Sequence, residues 1–173
     1  ATCLCCGRTI SGARVKAQLA QQAGGTDFGT RFGLTDSDGA TLLAVIVGGR
    51  EGIKYRLPVE RDRVALKAVR ARELVMRSTA GQDVFPNESL NPIRPSPNAR
   101  GVSGATRIGI TDFGRLFTSR QKVAIRTLLD VVSRTAHQEA LARLLGLAIT
   151  KLCERSSSFV TWINSTEAPR GTF

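Results

Sequence analysis

Residues 78–104 constrain the fold of this chain most, because four prolines fall within them and no periodic apolar pattern survives there. Proline lacks an amide hydrogen and pushes the residue before it out of the helical conformation, so neither a long helix nor a central strand crosses such a stretch. The stretch predicts an extended linker or a long surface loop. We therefore divide the chain into a region at 1–77, a proline- and glycine-rich linker at 78–110 and a region at 111–173.

Before the linker, the apolar pattern predicts two helices and a β-hairpin. Ser11 is the expected N-cap of a short helix. The branched apolar run at 41–47 predicts a buried strand, and a glycine-rich turn leads from it to alternating residues at 53–57. Apolar residues then recur at helical spacing from Glu60 to Arg77. The first region is therefore expected to be a small α/β unit.

After the linker, the pattern is helical. Thr118 and Gln121 have the spacing of a capping box, in which the hydroxyl accepts a hydrogen bond from the Gln amide and the Gln side chain bonds back. Apolar residues follow at helical spacing over 125–132, and a second apolar helix is expected over 138–154. The short polar connection favours an antiparallel helical hairpin, followed by an extended tail. The expected fold class is α+β.

The charge of the chain points to a polyanionic partner. Lys and Arg number 25 against 14 Asp and Glu, which gives a net charge of +11, and nucleic acid is the commonest polyanion. The alternative is a basic fragment whose acidic partner region lies elsewhere in a longer protein. No apolar run reaches the roughly 18 to 20 residues of a membrane-spanning helix, and no signal-peptide pattern is present. We expect no membrane partner and a cytoplasmic location.

Two basic stripes are candidates for contact with a phosphate backbone. One runs along a single face of the helix that begins at Glu60, and the other is a pair at i and i+4 after the capping box. The candidate nucleic-acid-binding residues are Arg63, Lys67, Arg70, Arg77, Lys122 and Arg126. A face of charges that merely contacts solvent is the alternative, and the scarcity of aromatics gives no sign of stacking on single strands.

The N-terminus carries a possible metal site. Cys3 and Cys6 have the C-x-x-C spacing with which two thiolates bind one tetrahedral zinc at about 2.3 Å, and Gly7 lets the backbone turn beneath the metal. A complete site needs four ligands, and the chain offers no second pair with this spacing, so the sequence predicts half of a structural zinc site. A cysteine pair that never meets metal is the alternative. Both a metal-binding pair and a pair of free cysteines are typical of proteins in a reducing compartment.

The order of several short segments carries a further signal. They are the Cys3–Gly7 knuckle, Tyr55-Arg56-Leu57-Pro58, Phe85-Pro86-Asn87-Glu88-Ser89-Leu90, the stretch Gly109–Gln121, and Trp162. In this order they resemble the adenine-specific DNA methylases that contain a Zn-ribbon module. The most specific match is the stretch at 109–121, which is similar to the family's Gly-Met-Thr-x-Trp-Gly-Asp-Leu-Phe-Thr-Pro-Arg-Gln. Phe113 and Ser119 depart from the family's Trp and Pro.

The resemblance implies an inserted, noncatalytic region of a DNA adenine-N6 methyltransferase, between its cofactor-binding and catalytic motifs. It implies half a zinc ribbon whose remaining ligands lie upstream of Ala1, and S-adenosylmethionine bound by the parent enzyme only. The implied partners are DNA and the catalytic core of the same polypeptide. Asn91-Pro92-Ile93-Arg94 begins like the family's catalytic loop but lacks the second proline and the aromatic residue that stacks on a flipped base.

The alternative function is a free-standing basic adaptor that binds nucleic acid or an acidic protein and serves no enzyme. A reading frame that continues past Phe173 into an Asp/Asn-Pro-Pro-Tyr segment would favour the methylase, and a stop codon there would favour the adaptor. In the preferred interpretation the chain contacts DNA or positions it for methylation, and catalyses nothing itself.

Overall fold

The computed structural model describes residues 2, 5–22, 42–50, 52–80, 84–93, 102–135, 138–163, 165 and 168–170. Within them the fold is α+β, as expected, with α-helices and two antiparallel β-hairpins. The elements are α1 (Gly12–Gln21), β1 (Val45–Gly49), β2 (Gly52–Arg56), α2 (Glu60–Ala80), α3 (Ser119–Thr135), α4 (Glu139–Arg155), β3 (Thr161–Ile163) and β4 (Ala168–Arg170). Between α2 and α3 lie the 3-10 helices Val102–Ile108 and Phe113–Leu116.

The short helix α1 begins where the sequence predicts. Ser11 is its N-cap, and the Ser11 hydroxyl accepts a hydrogen bond of 3.2 Å from the Arg14 amide. The helix packs against the 3-10 helix Val102–Ile108. At the contact Gly109 has a φ of +90°, and a Cβ there would lie 2.7 Å from the Ala20 carbonyl oxygen. Only glycine permits this backbone conformation and this close approach.

The first β-hairpin is confirmed, but strand β1, which the sequence predicts to be buried, is largely exposed. Strands β1 and β2 pair antiparallel from Val45 opposite Arg56 to Gly49 opposite Gly52. Ile46 is exposed because this sheet has only two strands and so lacks the neighbours that bury a central strand. A bidentate ion pair joins the hairpin to α2: two nitrogens of the Arg56 guanidinium donate to the two oxygens of the Asp62 carboxylate, at 2.6 and 2.8 Å. The hydrogen bond from Arg56 lowers the pKa of Asp62.

The buried core includes residues from the stretch that the sequence assigns to a linker. Leu90, Ala105, Ile110 and Leu116 form one apolar cluster, although the first three belong to 78–110. Partly buried apolar side chains surround the cluster, among them Phe159 from the segment after α4. The described parts of 78–110 are therefore not an exposed loop throughout, since they supply most of this core.

Backbone hydrogen bonds explain how an irregular segment packs inside. The Leu90 amide donates to the Thr111 carbonyl at 2.8 Å, and the Phe113 amide donates to the Glu88 carbonyl at 3.1 Å. These bonds satisfy polar groups that burial would otherwise leave without partners. An antiparallel bridge between Ser89 and Asp112 lies at the same place, so the segment that carries Leu90 is held against the start of the second 3-10 helix, and the Leu90 side chain is buried.

The C-terminal helices follow the prediction closely. The Gln121 amide donates to the Thr118 hydroxyl at 3.4 Å, and the Gln121 side chain accepts from the Thr118 amide at 2.8 Å, which confirms the capping box. Helix α3 contacts α4 across a short connection, and β3 and β4 form a second hairpin where the sequence predicts only an extended tail. In the described part of the chain, none of the helices combines the length and the apolar character needed to cross a membrane.

Candidate anion-binding cleft

The most unusual side chain of the structure is Glu73, a buried carboxylate in the middle of α2. Its side chain is 1% exposed and forms ion pairs with three basic residues. Arg70 lies 2.9 Å from Oε2, and Arg77 lies 2.9 Å from Oε1, so one turn of α2 on each side contributes a cation. The third cation comes from α3, where the Lys122 ammonium lies 3.1 Å from Oε1.

The hydroxyl of Ser119 completes this set, which we call the Glu73 cluster. It is buried at the first residue of α3, hydrogen-bonds the Glu73 carboxylate and accepts a hydrogen bond of 3.0 Å from Arg70. Burial raises the pKa of Glu73, but the hydrogen bond from Ser119, the charge of Lys122 and the hydrogen bond from Arg77 outweigh it and lower the pKa to about 2. The carboxylate is therefore ionised at neutral pH.

The Glu73 cluster carries more positive than negative charge. Three cations surround a single carboxylate, and their side chains keep different amounts of exposed surface, 39% for Arg70, 41% for Arg77 and 10% for Lys122. Glu73 fixes the three charges at one place but neutralises only one of them. The cluster is therefore a rigid source of positive charge that is open to solvent on one side.

The open side of the cluster faces a cleft of about 500 Å³. Four basic and two acidic side chains line it, so two positive charges are left over. The further ion pair is that of Arg115 with Asp112, at 2.8 Å. The Phe85 ring forms part of the wall and lies beneath Arg77, with the guanidinium carbon 5.0 Å from the ring centre. The cleft combines a surplus of positive charge with an apolar wall.

The structure brings together three of the six predicted nucleic-acid-binding residues, namely Arg70, Arg77 and Lys122. The other three lie outside the cleft lining. Arg63 pairs with Glu60 at 3.6 Å and Arg126 with Asp130 at 3.0 Å, while Lys67 is exposed on α2. The predicted basic residues are thus divided into two groups. Arg70, Arg77 and Lys122 form ion pairs with the buried carboxylate of Glu73, and the other three lie on the surface outside the cleft.

Sequence reasoning missed Glu73 and Ser119. The signal for Glu73 was available, because this acid lies three residues after Arg70 and four before Arg77, on the same face of one helix. The signal for Ser119 was not, because its contact with Glu73 depends on how α3 packs against α2.

Of the proposed zinc ligands, Cys3 lies outside the described residues and Cys6 is exposed. The chain turns back at this point, since Thr2 forms an antiparallel bridge with Thr9 and Gly7 has a φ of +68°. No three metal-ligating side chains come together in the parts of the chain that the structure describes.

Comparison with known proteins returned no relatives. The chain matches no protein-family model and no curated protein, and its fold matches no solved structure.

Proposed function

We propose that this chain binds DNA without catalysing a reaction on it, and that the cleft at the Glu73 cluster is its main point of contact. The observation that carries the proposal is the surplus of two positive charges in that cleft, on a chain whose net charge is +11. When a protein binds DNA irrespective of base sequence, contacts of Arg and Lys with phosphates supply nearly all of the affinity. A rigid cationic wall is suited to such contacts.

The proposed setting is an inserted region of a DNA adenine-N6 methyltransferase. The support for it is the ordered resemblance in the sequence, of which the stretch Gly109–Gln121 is the most specific part. In such an enzyme S-adenosylmethionine would supply the methyl group at the catalytic core. This chain would hold the duplex in register with that core, and its other partner would be the core itself.

A zinc ion at the N-terminal knuckle belongs to the same proposal. Cys3 and Cys6 would supply two thiolates, and two further ligands would come from another part of the parent polypeptide. Its role would be structural, because a closed four-ligand site has no open position for a substrate. The alternative, a free-standing basic adaptor, would use the same cleft but would need neither the zinc ligands nor the core.

The salt dependence of duplex binding tests the proposal. Wild type should bind a short duplex with an affinity that falls steeply as salt rises. Changing three cleft cations, Arg70, Arg77 and Arg115, together to Gln while Lys122 still pairs with Glu73 should weaken binding and flatten the slope by about 0.9 for each phosphate that the variant no longer neutralises. Fluorescence anisotropy over a series of salt concentrations measures both quantities.

The matched control changes Arg14, Arg143 and Arg155 together to Gln, which removes the same charge from exposed positions outside the cleft. We expect a smaller loss of affinity for this variant and a slope closer to that of wild type. Equal losses in both triple variants would mean that charge alone sets the affinity. Absence of binding by wild type even at low salt would overturn the proposed function.

A further inference from the structure

We infer that the cleft is a subsite for one phosphate group, and that Glu73 is the positioning residue that prepares it. The inference deepens the proposed function and rests on it for the carrier of the phosphate, which is then a DNA strand. The chemistry of the site itself, a tetrahedral dianion or a phosphodiester held by fixed cations, follows from the geometry of the described residues.

The guanidinium of Arg77 is held in one orientation. Its Nε and Nη2 both contact Oε1 of Glu73, at 3.2 and 2.9 Å, and the ring of Phe85 lies against the guanidinium. Contacts at one edge and one face fix the plane of the group, while Nη1 has no partner within the described residues. A guanidinium that is held in this way loses little entropy when it binds an oxyanion, which makes it a better phosphate donor than a free side chain.

Positive charges from two helices converge at the cleft. Arg70 and Arg77 come from α2 and Lys122 from α3, and all three contact the same carboxylate. Cations of like charge this close repel one another, and one carboxylate offsets only part of that repulsion. An anion on the open side would relieve the rest. A phosphate suits this place better than a carboxylate because its oxygens are arranged tetrahedrally and can accept from donors on two helices, whereas the two oxygens of a carboxylate lie in one plane.

The remaining wall of the cleft is largely apolar. Leu74, Pro86 and Phe117 line the cleft beside the cations, together with Asn87. A volume of about 500 Å³ exceeds what a phosphate alone occupies and falls within the range of small-molecule pockets. The apolar part of the wall provides room for the sugar that carries the phosphate.

The test follows the arginine Nε–H signals of the ¹⁵N-labelled chain by NMR while a phosphate is added. Inorganic phosphate, adenosine monophosphate and a short DNA duplex are the three probes. We expect the Arg77 signal to shift and saturate with each of them. Arg77→Lys keeps the charge but loses the planar, paired N–H donors of the guanidinium. It should raise the dissociation constant for inorganic phosphate by about fivefold or more. Arg126→Lys, outside the cleft, should leave it within about twofold.

The outcomes separate the inference from the proposed function. If the duplex shifts only arginines outside the cleft and neither inorganic phosphate nor the nucleotide shifts Arg77, the phosphate subsite is wrong; DNA binding by the chain stands, but at another surface than the cleft. If inorganic phosphate and the nucleotide shift Arg77 but the duplex does not, the subsite stands, its carrier is a free phosphate compound, and the proposed function fails. If none of the probes shifts Arg77, the subsite is overturned whatever else binds.

Discussion

Changing Glu73 to Gln should lower the free energy of unfolding by about 3 kcal/mol, because it leaves three neighbouring cations without their counter-charge. The side chain keeps its size, so the loss reports charge and hydrogen bonding rather than packing. The value lies at the low end for a broken buried ion pair, since Arg70 and Arg77 remain partly exposed and water recovers part of their solvation.

Urea denaturation followed by circular dichroism measures this loss. The control is Glu139→Gln, which breaks an exposed ion pair with Arg143 on α4 and should cost less than about 1 kcal/mol. If the two variants lose the same small amount, the Glu73 cluster contributes nothing to the fold beyond an ordinary surface pair.

The same carboxylate predicts how stability depends on pH. Its pKa is about 2 in the folded chain, below the value of about 4.3 for an unperturbed Glu. A lowered pKa means that its contribution is complete above about pH 4.3 and is lost as the pH falls toward 2. We expect wild type to lose about 2 kcal/mol more than Glu73→Gln across this window. Asp62, whose pKa is also lowered, is present in both proteins and drops out of the comparison.

Changing Leu116 to Ala should lower the free energy of unfolding by about 3 kcal/mol. Leu116 is fully buried in the apolar cluster with Leu90, Ala105 and Ile110, and its carbonyl accepts a hydrogen bond of 2.7 Å from the Ser158 amide. The truncation removes buried methyl groups and leaves a cavity that the surrounding backbone fills only in part.

Leu144→Ala is the matched control for Leu116→Ala, because it removes the same atoms from a side chain that is 65% exposed on α4. We expect it to cost less than about 0.5 kcal/mol in the same urea experiment. Equal losses in the two variants would show that the stable core lies elsewhere than between residues 90 and 116.

The elements that depend on near neighbours in the chain could be predicted from the sequence. The cap at Ser11, the capping box of Thr118 with Gln121 and the first β-hairpin all rest on residues within a few positions of one another. Local hydrogen bonds and spacing determine such elements, so the sequence alone contains the information.

The core and the cleft could not be predicted because they depend on distant residues. Leu90 packs with Ala105, Ile110 and Leu116, and its amide bonds to the Thr111 carbonyl; a proline-rich segment gives no sign of either contact. Likewise, Glu73 meets Lys122 and Ser119 only once α2 packs against α3. Spacing along one helix identifies the cations but not the helix that faces them.

The stretch Gly109–Gln121, which carries the strongest resemblance, has structural roles along much of its length. Besides the glycine at 109 and the capping box at its end, it contains the fully buried Ile110 and Leu116. At Gly114 a Cβ would lie 2.4 Å from the carbonyl oxygen of Pro86, so a side chain there would force two backbone segments apart. The stretch organises the core and the start of α3.

The most direct test of DNA binding at the cleft compares Glu73→Gln with Glu139→Gln in duplex affinity at one salt concentration. Both changes raise the net charge by one, and both proteins are measured at a temperature at which circular dichroism shows them folded. We expect Glu139→Gln to bind as tightly as wild type or slightly more tightly. We expect Glu73→Gln to bind about tenfold more weakly, because its cations are no longer held in place. If both variants bind more tightly by the same factor, net charge alone governs the affinity and the cleft is not the DNA contact.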